Sequence, residues 1–257
     1  MQRTSLAVAN WKMNGTVADL HRWAEGFAAV APTLEGVETI VCAPFVHLPL
    51  VAKAMPEPVR TGAQDVSVFL NGAHTGDVSA AMLADLGVSW GIVGHSERRQ
   101  EAGDTNERVA EKALRLVEAG LRPILCVGET LEERRAGRTE EQLAAQLSAV
   151  LSELQPGTLG AVAYEPVWAI GTGEAASPET AQAVAAFLRA EVARVWGDEA
   201  RRLPILYGGS VNEKNAAAFF AEPDIDGALV GGAALDAERF GSIARQLRDD
   251  RSGSTLR

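Results

Sequence analysis

Glu165 stands at the end of an apolar run in the segment Ala163-Tyr164-Glu165-Pro166-Val167-Trp168-Ala169-Ile170-Gly171-Thr172-Gly173. A lone carboxylate in that setting is a candidate general acid or base. Proline fixes φ and glycine frees it, so the Pro166-Val167-Trp168 end of the loop is stiff and the Gly171-Thr172-Gly173 end permissive. Such a loop can swing as a lid, and Trp168 and Ile170 within it predict closure onto something. Other groups of chemical interest follow other apolar runs: Asn10 and Lys12, Gln64 and Asp65, His95 and Glu97, and Glu129.

A lysine on its own is ordinarily a solvated charge. The chain has only four, Lys12, Lys53, Lys112 and Lys214, and Lys12 follows an apolar run beside an asparagine, which predicts that it faces an anion. His95 sits between Gly94 and Ser96-Glu97-Arg98-Arg99, which reads as a helix start. Amides aimed at an imidazole there disfavour its cation and lower its pKa. His21, His47 and His74 have less promising settings. Glu129 is expected to pair with an arginine, and Glu97 to orient Lys12 or an arginine. Gly208-Gly209-Ser210 and Gly231-Gly232 follow two consecutive runs, where backbone amides can cradle a phosphate. A base, a neutral donor, a cation and an anion cradle together suit proton abstraction α to a carbonyl in a small phosphorylated substrate.

The elements that must bring these groups together recur about every thirty residues. Apolar, strand-like runs cover 5–10, 37–42, 59–64, 90–93, 121–127, 159–164, 204–207 and 227–230. Between them lie helical patterns, notably 105–119 and 180–196. Ser177-Pro178-Glu179 supplies a cap, a first-turn proline and an acidic first turn, and Gly120 closes the earlier helix. Continuous apolar strands are buried on both faces, as in a parallel sheet. Eight strand–helix units over 1–257 predict an α/β fold, a single-domain (β/α)8 barrel with eight parallel strands, and a frayed tail over 249–257. An open doubly wound sheet is the competitor, but Asn10-Trp11-Lys12-Met13-Asn14-Gly15 lacks its glycine fingerprint.

The formal net charge of −10 disfavours nucleic acid and anionic membranes as partners. No apolar run approaches a membrane span, and Met1 to Leu6 lack a signal-peptide pattern. The two cysteines, Cys42 and Cys126, lie in apolar runs and read as buried thiols, so a cytoplasmic location is expected.

Five motifs, in order along the chain, closely resemble the triosephosphate isomerase family: Ala9-Asn10-Trp11-Lys12-Met13-Asn14, Gly94-His95-Ser96-Glu97-Arg98-Arg99, the 163–173 run, Tyr207-Gly208-Gly209-Ser210-Val211 and Val230-Gly231-Gly232-Ala233. The resemblance implies a TIM barrel that interconverts dihydroxyacetone phosphate and D-glyceraldehyde 3-phosphate through an enediol(ate), in glycolysis and gluconeogenesis, with no metal and no organic cofactor. Glu165 would then move the proton, as a base whose pairing with a neutral His95 is a known pattern. His95 would hydrogen-bond and protonate the oxygens, and Lys12 and Asn10 would stabilise negative charge. Amides of Gly171, Ser210 and Gly232 would hold the phosphate, with Gly231 forming the turn. The family's loop 64–79 reaches into a neighbouring subunit's site, here through Thr75, which implies a homodimer. That loop carries Val66, Val68, Phe69 and Leu70 and is expected to be buried against something. Three alternatives stand beside this reading. One is a metal-assisted barrel enzyme using Asp65, Glu97, Glu129 and Glu165. Another is a Schiff-base aldolase, disfavoured because no lysine lies at the mouths of strands two to eight. The third is a phosphate-binding scaffold without catalysis.

Overall fold

The structure is a computed structural model that describes residues 3–169 and 176–253. Eight strands, β1 (Ser5–Asn10), β2 (Val37–Ala43), β3 (Arg60–Ala63), β4 (Trp90–Val93), β5 (Arg122–Val127), β6 (Ala161–Tyr164), β7 (Ile205–Tyr207) and β8 (Gly227–Val230), form a closed barrel in sequence order. All neighbours are parallel, and Leu6 to Ala9 pair with Gly227 to Val230 to close the ring. The predicted (β/α)8 barrel is present, with strand ends moved by one or two residues.

Alternation along each strand explains why the runs are apolar throughout. Leu6, Val8, Ile40, Cys42, Trp90, Ile92, Ile124, Cys126, Ala161, Ala163, Leu206 and Leu229 form one buried cluster. The residues between them, such as Ala7, Ala9, Val41, Leu125, Val162 and Val230, join a second cluster that includes the helices. Successive side chains on a strand point to opposite faces, so the first cluster fills the barrel and the second seals it to the helix layer. Extending this parity places Asn10 with Leu6 and Val8, and Glu165 with Ala161 and Ala163. Both polar groups therefore continue inward-facing rows at the carboxyl end of the barrel. At the other end Trp90 takes up so much room that Gly160 is required: a Cβ there would lie 2.4 Å from the Trp90 ring.

The helix layer comprises α1 (Val17–Ala28), α2 (Leu48–Ala54), α3 (Ala80–Asp85), α4 (Ser96–Glu101), α5 (Asn106–Glu118), α6 (Leu131–Arg135), α7 (Thr139–Leu151), α8 (Pro178–Trp196), α9 (Ala216–Phe220) and α10 (Ala237–Gly253). The cap read from sequence at Ser177 is in place, its Oγ accepting from Thr180 N ahead of α8. A cap not read from sequence precedes α5, where Thr105 Oγ1 accepts from Arg108 N. Trp23 and Phe27 of α1 meet Phe240 of α10 across the β8–β1 seam. Helix α10 continues to Gly253, so regular backbone reaches into the stretch expected to fray, and 254–257 lie outside the described residues. The middle of the expected lid, 170–175, lies outside them as well.

Candidate active site

The carboxyl ends of the strands converge as the sequence predicts. Asn10 closes β1 and is buried. Two residues on, Lys12 takes φ = 52°, and its N–H donates to Asn10 Oδ1 at 3.1 Å. The Lys12 ammonium donates to Glu97 Oε1 at 2.6 Å, so of the two partners open to Glu97 it has the lysine. His95 is the cap of α4, set there by Gly94 at φ = 71°. A Cβ on Gly94 would come within 2.9 Å of both Arg99 and Val109, so this turn needs glycine on two counts.

The Glu97 N–H donates to His95 Nδ1 at 3.2 Å, which is the amide expected to face the ring. With Nδ1 an acceptor, the neutral imidazole carries its proton on Nε2. That nitrogen lies 3.0 Å from Glu165 Oε1. Burial pushes the His95 pKa down, but the Glu165 carboxylate against Nε2 and the Glu97 charge together push it up, and the net direction is upward. The expectation of a lowered value is thus reversed in this arrangement. The amide is where it was predicted; the opposing carboxylate, seventy residues away in sequence, was not. Glu165 apart, burial, the Lys12 charge and the Glu97 amide favour the neutral ring, opposed by the Glu97 carboxylate.

Glu165 itself is buried, 2% exposed. Its Oε2 accepts from the Ser96 N–H at 2.9 Å, and Ser96 Oγ lies 3.4 Å from Oε1. Sequence reasoning missed Ser96 as its partner, although the first amide of a helix is a ready donor to a carboxylate. Asn10, Lys12, His95 and Glu165 share a cleft of about 280 Å³ with Ser210, Gly231 and Gly232, and Gly208 and Gly209 line it too. A larger surface cavity, about 490 Å³, lies beside α1 and residues 235–238. Its Arg22 and Asp19 are bonded to each other, and it brings together none of the predicted groups, which gather in the smaller cleft. Gly171 lies outside the described residues.

The other carboxylates have partners of their own. Glu129 is fully buried, and its Oε1 accepts from Trp168 Nε1 at 2.9 Å, Tyr164 Oη at 3.1 Å and Arg134 Nη1 at 3.2 Å. Burial and the Glu129 charge hold the Tyr164 hydroxyl well above its usual range. The arginine pairing expected for Glu129 is present, and the Arg134 guanidinium also lies over the Trp168 ring at 4.6 Å. At the far flank of the expected lid, Ala176 N donates to Tyr207 Oη at 3.2 Å, and burial raises the Tyr207 hydroxyl to about 12. Asp65 accepts from Lys112 at 2.7 Å and pairs with Arg98 at 2.8 Å. Lys112, 2% exposed, also bonds Asp104, a buried lysine that the sequence reading did not foresee. The four carboxylates of the metal reading are thus engaged separately, and no group of three potential metal ligands converges among the described residues.

In the loop 64–79, Val66 and Val68 are buried in the chain's own fold, but Phe69 and Leu70 are 44% and 62% exposed. The expectation that all four are covered fails within one chain. Phe69 instead stacks on His74, with ring centroids 3.5 Å apart, and Thr75 is exposed.

Residues 5–247 match the family model described as triosephosphate isomerase. The chain is 52% identical over 246 residues to a triosephosphate isomerase of Xanthomonas euvesicatoria, covering 95% of this chain and 98% of that protein. It is 50% identical to one from Ralstonia nicotianae, with the same coverage of both chains. A third, from Halorhodospira halophila, is 52% identical over 244 residues, covering 94% and 97% respectively.

Proposed function

The chain belongs to the triosephosphate isomerase family and is a glycolytic isomerase interconverting dihydroxyacetone phosphate and D-glyceraldehyde 3-phosphate; from that premise we propose how its own residues carry the reaction. Glu165 takes a proton from C1 of dihydroxyacetone phosphate as the carbonyl oxygen on C2 gains charge. His95 Nε2 donates to that oxygen, then accepts the proton of the C1 hydroxyl. Glu165 returns its proton to C2, which leaves the aldehyde at C1. The enediol(ate) is stabilised by Lys12 and Asn10, with Lys12 also offsetting the phosphate. The reverse direction serves gluconeogenesis.

The observation that carries this reading is the meeting of Glu165 and His95 at 3.0 Å in the cleft that Lys12 also lines. To reach a carbon acid, Glu165 must give up its bonds to Ser96 and turn into the cleft. We assign the phosphate to amides at Ser210 and Gly232, with Gly231 forming the turn, because they border the same cleft; Gly171 completes this grip when the lid closes. Closure excludes water and restrains the intermediate from losing phosphate. A coupled assay with D-glyceraldehyde 3-phosphate tests the whole scheme. Turnover near that of the unaltered chain in Glu165→Gln would overturn the base assignment.

The active form in this reading is a homodimer built through the loop 64–79, with Thr75 entering the neighbouring site. The bare Phe69 and Leu70 support it, as does Met13, 95% exposed one residue past Lys12. The compartment is the cytoplasm, a setting that suits two buried, unpaired cysteines. Among the described residues no helix is long and apolar enough to cross a membrane.

A further inference from the structure

Among the described residues Lys12 is the one non-glycine with a left-handed backbone, φ = 52°. Such a conformation persists only where the surroundings over-determine it. Three neighbours do so here. Asn10 Oδ1 holds the Lys12 N–H at 3.1 Å and Glu97 holds the ammonium at 2.6 Å. The third is Gln64, just past β3, whose Nε2 donates to Lys12 O at 3.0 Å and to Cys42 O at 3.0 Å. Cys42 O is itself fixed, since it lies in β2 and also accepts from Trp11 N at 3.0 Å. The two N–H groups of one amide therefore tie the carbonyl of Lys12 to a barrel strand.

We propose that Gln64 is a positioning residue for Lys12: it locks the peptide after Lys12 in the orientation that the left-handed turn demands, and so delivers the ammonium to the cleft. Were Lys12 to relax to negative φ, its Cα–Cβ direction would turn and the Gln64 bond would be lost. Asn10 and Glu97 restrain the amide and the charge, which leaves the carbonyl to Gln64. The inference rests on the reading of Lys12 as the cation that faces substrate.

A double-mutant cycle tests it. Gln64→Met keeps the length of the side chain and removes both donors. Against the unaltered chain it should lower kcat/KM about tenfold, the scale of one lost hydrogen bond, and weaken competitive inhibition by inorganic phosphate. In a Lys12→Ala background the same change should cost less than about twofold, because the group being positioned is gone. Gln64→Asn, polar but too short to span both carbonyls, should follow the same pattern and serves where Gln64→Met does not fold. An equal fold-loss in both backgrounds, or no loss against the unaltered chain, overturns the inference. Failure of the underlying reading looks different: Lys12→Ala alone would then keep unaltered kinetics.

Discussion

Glu165 is stored rather than poised. Its carboxylate is bonded to the Ser96 N–H and to His95, and in the proposed reaction it exchanges those partners for a carbon-bound proton. Glu165→Gln keeps the shape and removes the base, so kcat should fall by roughly a thousandfold or more, with inorganic phosphate still binding within a few-fold. A phosphate affinity lost together with turnover would mean that the substitution collapses the cleft. The His95 pair also makes stability depend on pH. Its folded pKa is raised above the ordinary 6.5, burial lowering it and the Glu165 and Glu97 carboxylates together more than restoring it. The pair's contribution is therefore fully present below about 6.5 and is lost as pH rises through the raised value. The difference in thermal midpoint between the unaltered chain and Glu165→Gln should accordingly be larger near about pH 6 than near about pH 9. A difference that stays constant over that range would show that His95 takes up no proton beside Glu165.

Among the elements, β6 and the loop that follows it carry the most strategic contacts. Both flanks of the proposed lid are fastened, the near one through Trp168 to Glu129 and the far one through Ala176 to Tyr207. Glu129 is fully buried and its Oε2 finds no donor among the described groups. Removing one of its three donors is therefore costly. Trp168→Phe should destabilise by about 1–3 kcal/mol, a fall of several degrees in thermal midpoint at this chain length; an unchanged midpoint would mean that the bond contributes little to the folded state. Strand positions, the cap at Ser177, the closing glycine at Gly120 and the groups at the strand mouths were legible in the sequence, because each depends on local spacing. The bonds of Ser96 to Glu165, Gln64 to Lys12 and Lys112 to Asp65 were not. Each joins residues 47 to 69 apart in the chain, and only barrel register brings them together.

Taken whole, the molecule is a barrel whose chemistry lies at one end and whose loop 64–79 carries hydrocarbon that this single chain leaves bare. Phe69 and Leu70 should be covered by a second copy. Light scattering at micromolar concentration should therefore report a dimer, and the pair Phe69→Ser with Leu70→Ser should shift it toward monomer with loss of activity. A monomer in the unaltered protein would defeat the homodimer outright. The closing seam between β1 and β8 has a consequence for how the chain is made. Leu6 to Ala9 wait for partners at Gly227 to Val230, about 220 residues later in synthesis. At roughly 5–20 residues per second the ribosome needs on the order of 10–45 s to supply them. During that interval β1 can pair only on its β2 side, and its other edge is open to misplaced strands. Of the groups that line the cleft, Asn10 and Lys12 emerge first and the glycines of the last two strand mouths last, so the cleft can be completed only once β8 has been made.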